Sequence, residues 1–163
     1  MVNVEGLWVK CLEMMRNEDQ IVKREALMIL TNLLTSSEDH NLKAQIVFNS
    51  GEDQEIVNIL IEALSQVNVM DKECIIEILD ALKACFQLDL ELELPEEKRF
   101  QYLFEIRNGF DPLEALQHNP ITEVREMACE IIREFLPFDE NDGANAQQEF
   151  DSLAANHHSV RNE

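Results

Sequence analysis

Four cysteines, Cys11, Cys74, Cys85 and Cys129, and four histidines carry the most reactive side chains of the chain, and their spacing supports little chemistry. No C-x-x-C pair occurs and no histidine stands at a zinc-ligand spacing from a cysteine. Each cysteine falls within an apolar helical pattern and reads as a small core residue. His40, His118 and the pair His157-His158 fall in turns or in the C-terminal stretch. None adjoins a cysteine or serine in a nucleophile motif, and no glycine-rich phosphate loop occurs. No enzyme, cofactor or metal site is expected. The remaining chemistry is recognition. Asn32, on an otherwise apolar helix, is either a hydrogen-bonding contact to a bound peptide backbone or a polar edge position facing solvent. Asp80, Glu130 and Glu134 either attract the Lys or Arg of a partner or belong to a plain solvated face.

Composition narrows the partners. Thirteen basic against 33 acidic residues give a formal charge of −20. That charge opposes binding to phosphate backbones and anionic membrane surfaces, so nucleic acid and membrane are not expected partners. It would attract a basic protein segment, or simply keep the protein soluble. Scattered cysteines, no secretory signal and no long apolar run point to a reducing intracellular compartment, and no short basic localisation cluster is evident. Only four Gly and four Pro among 163 residues, with Leu, Ile, Glu and Ala abundant, favour helix over strand. The expected class is all-α.

The elements that would position these residues follow from apolar periodicity. Val4 to Met15 carries a stripe of Leu7, Trp8, Cys11, Leu12 and Met15. Asn17 to Ser36 carries Ile21, Val22, Ala26, Ile29, Leu30, Leu33 and Leu34 behind an acidic start at Glu18 and Asp19. The two should pack as a helical hairpin. A short helix from Glu38 to Asn49 closes at Ser50-Gly51, with glycine in the left-handed terminating position. A middle helix spans Gln54 to Gln66, and a long one Asp71 to Leu88. The alternating Leu88 to Leu94 reads as the frayed end of that helix and an extended link, since Pro95 biases Leu94 away from helix. A short helix from Glu96 to Arg107 ending at Asn108-Gly109, a middle one from Asp111 to Gln117 with Pro112 in its first turn, and a long one from Thr122 to Leu136 follow. From position 137 the sequence is polar and acidic and reads as a disordered tail, in which Phe150 and Leu153 could form a short docking turn.

A unit of short helix, glycine, middle helix and long helix thus recurs, with glycines at Gly6, Gly51 and Gly109. Over the long helices, VKREALMILTNL aligns with VREMACEIIREF, so that Val22 overlies Val124, Ala26 overlies Ala128 and Leu33 overlies Phe135. Helical self-similarity at about 40 to 47 residues marks an armadillo or HEAT solenoid. At residue level, Gly6 to Ser37 resembles the last two helices of an armadillo repeat. Its REALMILTNL is similar to REALWALSNI of the importin-alpha (karyopherin alpha) family. NGFDPLEALQHNPITEVREMACEIIREFL resembles that family's terminal repeat, in which Gly-Leu-Asp and then Glu-Ala-Leu-Gln lead into a final helix ending in an aromatic.

The resemblance implies a right-handed armadillo solenoid of about three repeats over residues 1–136, the first incomplete, with units near 4–36, 38–88 and 96–136 and the tail at 137–163. It implies third helices lining a groove for an extended basic localisation-signal peptide, in which an Asn holds the peptide backbone and a Trp four residues earlier stacks on Lys stems. Here the Asn position is Asn32 and the Trp position Met28, which keeps apolar area without a ring. The corresponding pairs are Asp80 with Ala84, and Glu130 with Glu134. Glu25, on the helix of Asn32, belongs with these partner-binding candidates. The Trp-Asn array is mostly absent, as are a basic importin-beta-binding segment and the early repeats, so a self-standing import adaptor is not expected. The resemblance implies a non-enzymatic protein-binding module shared between nucleus and cytoplasm, taking a basic segment or a transport exportin. The alternative is a structural or regulatory subunit that dimerises or stacks through an uncapped N-terminal end exposing Leu7, Trp8 and Cys11.

Overall fold

Two of the long helices start at a side-chain acceptor. The computed structural model describes residues 4–16, 19–48 and 54–136. Asp19 accepts from the Ile21 N–H (2.8 Å) and starts α2, Gln20–Ser36; Asp71 accepts from the Cys74 N–H (2.9 Å) and starts α5, Lys72–Glu91. Each meets a backbone donor that the helix itself cannot satisfy. The remaining helices are α1, Val4–Met15; α3, His40–Phe48; α4, Glu55–Ser65; α6, Phe100–Ile106; α7, Phe110–Ala115; and α8, Thr122–Phe135. Single 3-10 turns lie at Val67–Val69, Glu96–Lys98 and Leu116–His118, and there is no strand among the described residues. The all-helical expectation therefore holds.

Three expectations change. The helix read as Glu96 to Arg107 is a 3-10 turn followed, after the extended Arg99, by α6. The long helix does not fray at Leu88 but continues to Glu91, because Asp89 is drawn inward. Gly6 does not mark a turn: it lies in the first turn of α1, with open space around it. The Ser50-Gly51 terminator, Asn17, Glu18 and everything from 137 onward, the expected tail included, lie outside the described residues.

The end of α6 shows how sequence sets a corner. Asn108 takes the left-handed conformation (φ 57°), its N–H donates to the Glu105 carbonyl (2.9 Å), and the Gly109 N–H donates to the Phe104 carbonyl (2.8 Å). This is the Schellman pattern with Asn in the left-handed position, so Gly109 is not needed for its torsion angle. It is needed for room: a Cβ at Gly109 would stand 2.6 Å from the Phe104 ring, which is fully buried. Gly109→Ala should lower stability by about 1–3 kcal/mol through overpacking, read as a reduced urea midpoint. An unchanged midpoint would mean the ring can step aside.

One core runs the length of the described chain, from Trp8 and Leu12 through Leu30, Ile56, Leu60, Ile78 and Leu82 to Phe135. Within it, α1 packs on α2, α2 on α5 and α5 on α8, while α4 packs against α5, α6 and α7. Arg24 near the start of α2 pairs with Asp71 at the start of α5, and Lys72 pairs with Glu123 at the start of α8. Further along, Lys83 of α5 meets Glu130 and Glu134 of α8. Pairing start with start fixes α2, α5 and α8 running in the same direction, with α5 between the other two.

Candidate functional site

Candidate recognition residues ride on these three parallel helices. On α5 and α8 the structure collects Asp80, Glu130 and Glu134, all exposed, around Lys83. Lys83 donates to Glu130 and stands 3.6 Å from Glu134. It lies one turn beyond Asp80, and its charge reaches that carboxylate too. The hydrogen bond and charge of Lys83 hold the Glu130 carboxyl below its ordinary value, and the same hydrogen bond, donated to Glu130, raises Lys83. Partial burial pushes the Asp80 carboxyl up, assisted by Glu130 and opposed by Lys83. The charge of Arg133 also acts on Glu130, so three carboxylates stand against Lys83 and Arg133. Such exposed pairs add about 0–1 kcal/mol to stability, so their effect is on what approaches rather than on the fold.

The α2 residues are placed differently. Glu25 and Asn32 are exposed and Met28 is half-buried. Asn32 lines a shallow cleft with Ser37, Asp39, Asn41 and Gln45, at the passage from α2 into α3. Met28 lines a separate cleft of ≈ 160 Å³ with Met15, Leu27, Ile59 and Met70. The pair read from the sequence as neighbours in one groove thus borders two different hollows. The backbone carbonyl of Met28 accepts from the buried Thr31 hydroxyl (3.0 Å), which satisfies that polar group inside the helix.

No protein-family model matches the sequence. The chain is 27% identical over 125 residues to importin subunit alpha-8 of the mouse, Mus musculus. The likeness is distant. It takes in 76% of this chain but 23% of the mouse protein, so the chain spans about a quarter of that relative's length. A remote relation to an importin subunit is the extent of what these comparisons carry.

The N-terminal end departs from the expectation. Trp8 is 8% and Cys11 1% exposed, and Leu7 is half-buried against the same core. The apolar stripe expected to lie open is turned inward, because α2 packs along α1 and covers it. The Trp8 Nε1 has no hydrogen-bond partner there. Sequence reading also missed Lys83. Its three-residue spacing from Asp80 was a signal that both share a face. Asp89 was missed as well: it is 7% exposed and accepts from the Phe100 (2.8 Å) and Gln101 (2.7 Å) N–H groups, capping α6 from a different helix. Burial pushes the Cys11, Cys74 and Cys85 thiols up, which suits core packing rather than nucleophilic chemistry. Among the described residues no group of three or more His, Cys, Asp or Glu could hold a metal ion, and no helix is long and apolar enough to cross a membrane.

Proposed function

We propose that this chain is a non-enzymatic protein-binding module of the armadillo type, with units near 4–36, 38–88 and 96–136, that acts in nuclear protein transport. In this reading it holds a basic protein segment, or a transport-factor partner, on the face formed by α5 and α8, and it works in both nucleus and cytoplasm. The observation that supports the reading best is the gathering of Asp80, Glu130 and Glu134 on neighbouring parallel helices. The parallel run of α2, α5 and α8, each packed on the next, and the importin likeness support it further.

The binding step follows from the charges. Lys83 already sits where an incoming ammonium would be held, so a basic segment must either join it or displace it. Joining uses the carboxylate charge left in excess of Lys83 and Arg133; displacing frees Lys83 to solvent at little cost, because its acidic partners are exposed. Binding should therefore weaken with salt, as exposed charge contacts do. Titration of a fluorescent Lys/Arg-rich peptide should show an affinity reduced about tenfold or more by Glu130→Lys with Glu134→Lys, and raised by Lys83→Ala. Asn32→Ala, at the other cleft, tests whether the bound segment extends to α2. Equal binding by the wild type and the triple variant Asn32→Ala, Glu130→Lys, Glu134→Lys would remove this face from the function.

A further inference from the structure

The cleft that Met28 borders is built differently from the acidic face. Its wall is apolar, of Met15, Leu27, Met28, Ile59, Ala63 and Met70, and its volume of ≈ 160 Å³ matches one phenyl ring, since engineered apolar cavities of about 150 Å³ take up benzene. Val69 at its rim is 86% exposed, so apolar surface is left open to water beside it. Methionines adapt their shape to an inserted ring and contact it favourably through sulfur. The cleft also carries Lys23 and Arg24 in a chain of net charge −20. The charge of Arg24 is met by Asp71, and Glu62 accepts from Gln66 Nε2 (3.2 Å). Lys23 has no carboxylate paired with it among the described residues.

We propose that this cleft receives a segment of the same chain, Glu149 to Leu153, with Phe150 in the apolar hollow, Leu153 over Val69, and Glu149 or Asp151 on Lys23. Phe150 and Leu153 are the apolar pair of an otherwise polar stretch, and the two acids flank the phenylalanine. The reach suffices. α8 ends level with Phe86, whose ring stacks on Phe135 at 5.0 Å, whereas Cys74 beside the cleft lies 12 positions earlier on α5. That is about 18 Å along the helix. Crossing from α8 over α5 to α2 adds about 20 Å at the usual spacing of packed helices. The path is about 27 Å. Fourteen residue steps separate Leu136 from Phe150, a length whose coil span averages about 20 Å and whose full extension is about 46 Å. A tether of that length supplies an effective concentration near the millimolar range, enough for a two-residue anchor to dock in its own chain. The proposal stands whether or not the α5–α8 face takes a basic segment.

Carbodiimide cross-linking of the dilute full chain, read by peptide mass spectrometry, tests it. The expected product joins Lys23 to Glu149 or Asp151. Phe150→Ser with Leu153→Ser should lower its yield at least tenfold, while the Lys10–Glu13 cross-link, whose groups lie 2.7 Å apart, stays constant as an internal control. Neither substitution alters a residue of the described core, so helix content by circular dichroism should not change. Absence of the product, or a yield unaffected by the double substitution, would overturn the proposal. So would a product found only between copies when isotope-labelled and unlabelled chains are mixed, which would make a second copy the occupant.

Discussion

Phe86→Ala is expected to destabilise the protein by about 3–5 kcal/mol, the largest effect of any single substitution considered. Phe86 is 1% exposed and its ring meets four others: Phe100 at 5.3 Å and Phe104 at 5.4 Å edge-on, Phe110 at 6.0 Å and Phe135 at 5.0 Å stacked. Those partners come from α6, α7 and α8, so one side chain of α5 joins every later α-helix among the described residues. Each aromatic pair adds about 0.5–1.5 kcal/mol beyond buried area, and truncation also leaves a cavity whose walls belong to four helices. Phe86→Leu, which keeps most of the volume, should cost about 1–2 kcal/mol. Urea unfolding of both variants checks this. Near-equal losses would mean that the ring contacts, which both variants lose, matter more than volume, and an alanine loss under about 1.5 kcal/mol would mean that the helices close over the gap.

The same cluster shows what was legible in the sequence. Apolar periodicity placed α2, α5 and α8 and most of their inward residues, because a stripe at 3.6-residue spacing leaves few alternatives for a helix in water. Asp19 and the Asn108-Gly109 corner were legible for a local reason, since caps are short-range chemistry. What periodicity does not carry is which neighbour covers a stripe. Leu7, Trp8 and Cys11 form one in the sequence whether α2 or a second protein lies over it, and the structure puts α2 there. Nor does it carry lateral register. Asp80, Glu130 and Glu134 are visible as exposed acids, but placing Lys83 of α5 against Glu130 of α8 requires knowing how far one helix is slid along the other. The split of the Met28–Asn32 pair between two clefts has the same origin, in the packing of α3 and α4 around α2.

Asp89 is the sharpest case, and its removal should have the second-largest effect. The run Leu88 to Leu94 alternates like a strand, and nothing local distinguishes Asp89 from the exposed Glu91 and Glu93. It is buried because the start of α6, eleven residues later, has no cap of its own: Arg99 precedes it and offers no acceptor. Asp89 supplies both oxygens, one to Phe100 and one to Gln101. Asp89→Ala leaves two backbone donors without acceptors, one of them on a fully buried residue, and should cost about 2–5 kcal/mol. Asp89→Asn keeps one acceptor oxygen and should cost roughly half as much. The pH dependence separates charge from shape. Burial pushes the Asp89 carboxyl above its ordinary value, while the N–H groups of Gln101 and Phe100 and the charge of Arg99 pull it back. With the folded value above the unfolded one, the native chain holds a proton that the unfolded chain has released, from about pH 4 up to the raised value. The contribution of this group is greatest below that window and shrinks as pH rises through it. The stability difference between wild type and Asp89→Asn, followed by urea titration from pH 4 to 7, should therefore narrow with rising pH. A difference that widens instead would show that the two amide donors, not burial, govern this carboxylate.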